Sequence, residues 1–163
     1  MTKIIAILTS LMIMVGCEKE VSSLQERNGV YYEINSEDGF TGKLVELYSD
    51  GQKMSEEYFK DGKREGIYTA WYENGQKKSE RTYRYKGGIE TAWYENGQKK
   101  NERNIRDGKE DGVFTFWYEN GQKKIEGNYK DGKYDGLYTY WDENGEKKSE
   151  ENYKDGELIR RQK

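Results

Sequence analysis

The phrase Trp-Tyr-Glu-Asn-Gly-Gln-Lys-Lys starts at Trp71, Trp93 and Trp117, and looser copies start at Leu47 and Trp141. Self-similarity at a short period restricts a chain to architectures in which each unit buries its surface against the next. Counted from the glycine five residues before each copy, five units begin at Gly42, Gly66, Gly88, Gly112 and Gly136, with spacings of 24, 22, 24 and 24 residues. Within a unit, a run rich in β-branched and aromatic residues (113–118) leads to Asn120-Gly121, and a return run (123–130) leads to Asp131-Gly132. Both dipeptides suit a type I′ turn, which needs positive φ at its two central positions and whose twist matches paired antiparallel strands. Each unit is therefore predicted to be two strands and two tight turns. Stacked, the units predict an all-β fold, an elongated single-layer antiparallel β-meander of about ten strands built from tandem hairpin repeats.

Two-residue loops would place Trp117 opposite Lys124, Thr115 opposite Glu126 and Val113 opposite Asn128, on one face with Leu137, Thr139 and Trp141. The other face would carry Phe114, Phe116, Tyr118, Ile125, Tyr129, Tyr134, Tyr138 and Tyr140. Gly127 and Gly136 would pair within it, leaving bare backbone that flanking rings can cover. Lys123 and Lys124 would lie opposite Tyr118 and Trp117, within reach of cation-π contact. Side chains alternate faces with period two, so the even spacings keep every unit the same way up. The short second unit has no Asp-Gly-Lys and reads Tyr83-Arg84-Tyr85-Lys86-Gly87-Gly88. Either Arg84-Tyr85 makes a poor turn, or Lys86-Gly87 makes it and the pairing slides by two. A register shift or kink is expected between Arg81 and Thr91, with both faces preserved.

Only 33% of the 163 residues are hydrophobic and 36% are charged, which is little material for a two-layer core. Fifteen tyrosines, four tryptophans and four phenylalanines nevertheless suit a pleated, half-buried surface. With no histidine and a single cysteine, Cys17, the chain cannot build a Cys-His or Ser-His-Asp constellation or a His/Cys zinc site. Carboxylates such as Glu143 and Asp155 fall at turns or ladder positions and show no EF-hand spacing. A net charge of −3 argues against a nucleic-acid partner. No catalytic residue, cofactor or metal ligand is expected.

Met1-Thr2-Lys3 is a short basic start, and residues 4–15 are an uncharged, mostly apolar run. That is the layout of a secretory signal peptide over residues 1–16. The run is shorter than the roughly 20 residues a membrane-spanning helix needs. Met14-Val15-Gly16-Cys17 resembles a bacterial lipoprotein lipobox, which implies that Cys17 is lipidated, becomes the mature N-terminus and tethers an exported protein to a membrane. The remaining chain divides into a lipidated start and polar tether (17–28), an N-terminal capping hairpin with a turn near Asp38-Gly39 (29–41), five repeats (42–158) and a polar tail (159–163).

The pattern Gly-x-x-x-x-Trp-Tyr-x-Asn-Gly-Gln-Lys-Lys, followed by Tyr-Lys-Asp-Gly-Lys, resembles the MORN-repeat variant family over residues 28–158. Bacterial members built this way carry the label YwqK-type antitoxin, which implies neutralisation of a partner toxin by direct binding. MORN repeats more broadly are associated with membrane-linked scaffolding, phospholipid contact and self-association. The resemblance carries over no defined active residue.

Two surfaces are candidates for binding. The ladder Trp71, Trp93, Trp117 and Trp141 is either an exposed strip or packing between neighbouring hairpins. The opposite face, with Tyr72, Tyr94, Tyr118, Tyr129, Tyr138 and Tyr140, has nothing of its own to cover it in a single-layer sheet. The pairs Lys77-Lys78, Lys99-Lys100, Lys123-Lys124 and Lys147-Lys148 are balanced by Glu80, Glu102, Glu126 and Glu150. The expected function is a non-catalytic, membrane-anchored lipoprotein scaffold of the cell envelope. It would hold a protein or lipid partner on an aromatic sheet surface. The alternative is an antitoxin or immunity protein that masks a toxin.

Overall fold

The computed structural model describes residues 19–83 and 87–162, in two compact units, Met1–Gly75 and Gln76–Lys163. The expected signal peptide and Cys17 lie outside the described residues, as do residues 84–86 of the shortened unit.

The described residues contain strands and turns and no helix. The first unit holds β1 (Glu20–Val21), β2 (Gln25–Arg27), β3 (Val30–Tyr32), β4 (Gly42–Leu47), β5 (Lys53–Lys60), β6 (Lys63–Arg64) and β7 (Gly66–Trp71). Its sheet runs β1-β4-β5-β7 with β6 paired to β5, while β2 and β3 form a separate hairpin. The second unit holds β8 (Lys77–Tyr83), β9 (Gly87–Trp93), β10 (Lys99–Arg106), β11 (Lys109–Trp117), β12 (Lys123–Lys130), β13 (Lys133–Tyr134), β14 (Gly136–Trp141), β15 (Lys147–Lys154) and β16 (Glu157–Gln162). Its strands follow chain order, β8-β9-β10-β11-β12-β14-β15-β16, with β13 on β12. Every pairing described in the second unit is antiparallel, as a hairpin meander requires.

One row of the second unit shows how well parity holds. Glu80, Thr91, Glu102, Thr115, Glu126, Thr139 and Glu150 face one another in turn, alternating Thr and Glu across seven strands. Trp93, Trp117 and Trp141 lie two residues beyond Thr91, Thr115 and Thr139, so the three indoles share that face. The shortened unit thus leaves both faces intact.

The two turns of a repeat differ, which corrects part of the expected register. Asp131 and Gly132 have φ of 51° and 80°, the paired positive values of a type I′ turn. At Asn120-Gly121 only Gly121 is positive, at 84°. There the Gly121 N–H donates to the Tyr118 carbonyl and the Tyr118 N–H to the Gln122 carbonyl, both at 2.9 Å. This is a three-residue loop, a type I turn closed by a left-handed glycine bulge. The extra loop residue sets Trp117 opposite Lys123 and not Lys124, while Thr115–Glu126 and Val113–Asn128 pair as predicted.

A second irregularity recurs after the Asp-Gly turns. Tyr129 faces Tyr134, yet Ile125 faces Tyr140, so two extra residues are accommodated at Asp135-Gly136, between β13 and β14. The same slip separates Phe59–Arg64 from Ser55–Ala70, and Ile105–Glu110 from Arg103–Phe114. Two is an even number, so the faces survive. Gly136 therefore does not pair with Gly127; it occupies the bulge with φ of 103°. Over residues 79–81 and 90–92, Ser79–Ala92, Glu80–Thr91 and Arg81–Glu90 pair without a shift. The shift expected between Arg81 and Thr91 is therefore absent over those three pairs, and the rest of that stretch includes residues 84–86, outside the described residues.

Three terminal expectations also change. In the stretch read as tether, β1 pairs in parallel with Lys43 and Leu44, and Leu24 is buried. The capping segment turns first at Asn28-Gly29, with φ of 53° and 78°, a turn not expected from the sequence, and folds back again before Asp38-Gly39, where an antiparallel bridge joins Tyr32 to Gly39. Residues 157–162, placed in part in a polar tail, form β16 on β15.

Candidate functional site

The repeated phrase is largely taken up by stacking of one repeat on the next. The Tyr118 hydroxyl donates to the Trp141 carbonyl at 3.0 Å, and Tyr94 to the Trp117 carbonyl at 2.9 Å. Tyr48 donates to the Trp71 carbonyl at 2.7 Å in the first unit. The Asn120 side-chain amide donates to the Glu143 carbonyl at 2.7 Å, and Asn96 to that of Glu119 at 2.8 Å. Gln98 and Gln122 close over the next repeat's loop glycine so tightly that a Cβ on Gly121 or Gly145 would meet their Oε1 at 3.0 and 2.9 Å.

The lysines complete this arrangement. Lys123 Nζ lies 5.8 Å from the Trp141 ring, Lys99 lies 5.6 Å from Trp117, and Lys53 lies 5.8 Å from Trp71. The expected contacts are thus exchanged: Lys123 reaches the following repeat's indole, and Lys124 lies over Tyr118 at 5.2 Å. Lys77, Lys99, Lys123 and Lys147 each also bind the glutamate three residues on, at 2.6 to 2.8 Å. Exposed pairs of this kind are worth little in stability. Trp71, Trp93, Trp117, Trp141, Tyr72, Tyr94 and Tyr118 are half-buried, and these contacts account for Trp71, Trp117, Trp141, Tyr94 and Tyr118 as repeat-to-repeat packing.

The opposite face is built differently. Row by row, Arg81, Glu90, Arg103, Phe114 and Gly127 are cross-strand neighbours in turn, as are Tyr138, Glu151 and Arg161. Around the centre of that row Phe114, Phe116, Tyr129, Tyr134, Tyr138 and Tyr153 form one aromatic cluster, with centroid separations from 4.7 Å for Tyr134–Tyr138 to 6.5 Å for Phe114–Tyr134. Tyr138 is its floor, 1% exposed, and its hydroxyl donates to the Asn128 carbonyl at 3.0 Å. Its ring lies over Gly127, where a Cβ would come within 2.8 Å of it. The aromatic cover expected for Gly127 is present, supplied by Tyr138 of the neighbouring strand. Phe116 and Tyr134 form the rim, 36% and 39% exposed.

Charged groups bracket the cluster. On one side Glu151 is buried and accepts from the hydroxyls of Tyr153 at 2.6 Å and Tyr140 at 3.2 Å and pairs with Arg161 at 2.6 Å. The Tyr153 hydrogen bond, aided by those of Tyr140 and Arg161 and opposed by burial, holds the Glu151 carboxyl below its ordinary range. Tyr140, expected on this face, is thus held by Glu151. On the other side Arg103 sits between Glu90 at 2.7 Å and Glu110 at 2.9 Å, and Arg81 also pairs with Glu90. These residues line an open cleft of about 740 Å³ that reaches Gly87, Gly88 and Gly132. Nothing in the sequence reading anticipates this cleft. Its visible sign is the shortened stretch from Tyr83 to Gly88, which lacks the Asp-Gly-Lys of the other repeats. Among the described residues no group of three or more acidic or cysteine side chains is placed to hold a metal ion.

Four tandem matches to the family model described as MORN repeat variant cover residues 64–85, 86–107, 110–131 and 134–155, more than half of the chain. The chain belongs to the MORN repeat variant family. The unit expected from Gly42 lies outside those matches, although β4 and β5 build the same looped hairpin. No curated protein matches the chain. Among solved structures it is similar to the crystal structure of TarM, with a TM-score of 0.38 and 10% identity over 54% of this chain. The chain spans only 18% of the length of that structure.

Proposed function

We propose that this chain is a non-catalytic, membrane-anchored repeat scaffold that holds a protein partner on the aromatic face of residues 110–153. The observation that carries the proposal is the contrast between the two faces. The indole phrase is engaged by neighbouring repeats, whereas Phe116 and Tyr134 stand exposed over a buried aromatic floor. Aromatic side chains that are fixed in position and open to solvent are the usual anchors of protein interfaces. The charged groups on either side, Glu151–Arg161 and Glu90–Arg103–Glu110, would supply the polar rim of such an interface.

Anchoring rests on the lipobox-like Met14-Val15-Gly16-Cys17. Replacing Cys17 by Ser is expected to move the protein from the membrane fraction to the soluble fraction, since a single unprocessed hydrophobic segment of twelve residues does not span a bilayer. The check is fractionation with acyl-chain labelling, and retention of the variant in membranes together with unchanged labelling would contradict the anchor.

The second reading is an antitoxin or immunity protein, favoured by the label that bacterial chains of this pattern carry. It uses the same face, with a toxin as the partner. Co-expression tests it directly: a toxic neighbouring gene product tolerated only alongside this chain supports it, and absence of protection removes it.

A further inference from the structure

Lys19 is already docked on the sheet of the first unit. Its carbonyl accepts from the Lys43 N–H at 2.7 Å, and Glu20 and Val21 then pair in parallel with Lys43 and Leu44. A Cβ on Gly42 would run into the same Lys19 carbonyl, so the segment lies hard against the start of β4. Side chains hold it as well. Lys19 pairs with Glu33, Glu20 pairs with Lys43 at 3.3 Å, and Leu24, 8% exposed, packs into the cluster of Phe40 and Phe59.

Because β1 runs parallel to β4, Lys19 stands at the end of the sheet where β4 begins. The Asp61-Gly62 turn is at that same end, since the Asp61 N–H donates to the Thr41 hydroxyl at 2.9 Å and the Gly62 N–H to the Phe40 carbonyl at 2.8 Å. Lys60 and Lys63 flank this turn and are exposed. The loop of Ser49, Asp50 and Gly51 is at the other end of β4, a strand of six residues and so roughly 20 Å long.

One residue, Glu18, separates Cys17 from Lys19 in the sequence. Two peptide steps reach at most about 7 Å, no more than the roughly 5 to 8 Å depth of one headgroup layer. We infer that the anchor is docked and not tethered: an acylated Cys17 seats the Asp61-Gly62 end of the first unit against the headgroups of the bilayer that takes its acyl chains. The inference rests on the anchor reading above and adds which surface of the first unit the lipid meets. The docking of residues 19–24 carries it, because a stretch that pairs with β4 and fills the Phe40–Phe59 cluster cannot also serve as a spacer.

The protein recovered from membranes and placed in vesicles that contain a nitroxide-headgroup lipid tests it. A fluorophore on Lys63→Cys or on Ser49→Cys reports contact with that lipid, and Cys17, the one natural cysteine, does not take the dye once its sulfur is acylated. Quenching is expected at Lys63→Cys and not at Ser49→Cys. Inserting about twelve Gly and Ser residues between Glu18 and Lys19 supplies a tether of roughly 20 Å. Quenching at Lys63→Cys should then fall to the level at Ser49→Cys while the protein stays in the membrane fraction. Equal quenching at the two positions without the insertion, or quenching at Lys63→Cys that survives it, would overturn the docked arrangement and leave the anchor standing. Absence of acyl labelling at Cys17 would remove the anchor and this inference with it.

Discussion

Replacing Tyr138 by Ala is expected to destabilise the protein by about 3 to 5 kcal/mol, the range for truncating a large buried aromatic. Tyr138 is the one fully buried large side chain among the described residues, and it touches Phe114, Tyr134 and Tyr153 at 5.3, 4.7 and 4.9 Å. The loss should be visible as a lower urea midpoint, and because repeat stability is close to a sum of neighbour terms, the C-terminal repeats should open first. Gly127 supplies an internal control. Its backbone is not left-handed, and the nearest obstacles to a side chain there are Tyr138 ring atoms, at 2.8 Å. Gly127→Ala should cost about 1 to 3 kcal/mol in the natural background, as overpacking does. In the Tyr138→Ala background it should cost close to nothing or stabilise, because the obstructing ring is gone and alanine is the better strand residue. Additive effects of the two substitutions would show that the ring does not lie over Gly127.

Alkaline pH should unfold the protein through the same cluster. Burial raises the hydroxyl pKa of Tyr138, with Tyr129 and Tyr134 adding to the effect; burial likewise raises Tyr140, beside Glu151, and Tyr129, beside Tyr134. The folded state therefore holds these protons more tightly than the unfolded chain, in which tyrosine titrates near 10. Stability contributed this way is fully present below pH 10 and falls as the pH rises beyond it, because only the unfolded chain gains by ionising. Urea midpoints measured against pH should decline above that value, and part of the tyrosinate absorbance should appear only with loss of the β-sheet circular dichroism signal. Complete, reversible tyrosine titration with the sheet signal intact would contradict the buried cluster.

The periodic part of this fold is legible in the residues themselves. Thr115 and Glu126 face each other because spacing and parity demand it, and both faces follow from that pair. What the residues alone conceal are the places where tertiary contacts choose between local options. Asn120-Gly121 and Asp131-Gly132 look equivalent, yet the Asn120 side chain accepts from the Gln122 N–H at 3.0 Å and donates to Glu143 of the next repeat. Those two bonds accompany a turn with Asn120 outside the positive-φ region, so the loop gains a residue and Lys123 slides opposite Trp117. The bulge at Gly136 does have a sign in the sequence, a glycine at the start of every unit, but the same glycine serves equally well as a bare repeat marker. Residues 19–28 lack a clear period because Leu24 and Val21 act as isolated plugs over Phe59 and not as a stripe. The indole ladder is the more conspicuous candidate for binding, but the contacts that use it, from Tyr118 to the Trp141 carbonyl and from Lys123 to its ring, exist only once a neighbouring repeat is in place.

The central claim is that the aromatic face, and not the Trp-bearing face, meets the partner. The direct measurement is quantitative recovery of bound proteins from membrane extracts by the full-length protein and two paired variants. Phe116→Ser with Tyr134→Ser strips the rim of the aromatic face; Val113→Ser with Leu137→Ser removes exposed aliphatics from the other. The predicted result is that a partner recovered by the natural chain falls at least about tenfold with the first pair and is unchanged with the second. Loss with the Val113 and Leu137 pair, and retention with Phe116 and Tyr134 replaced, would contradict it.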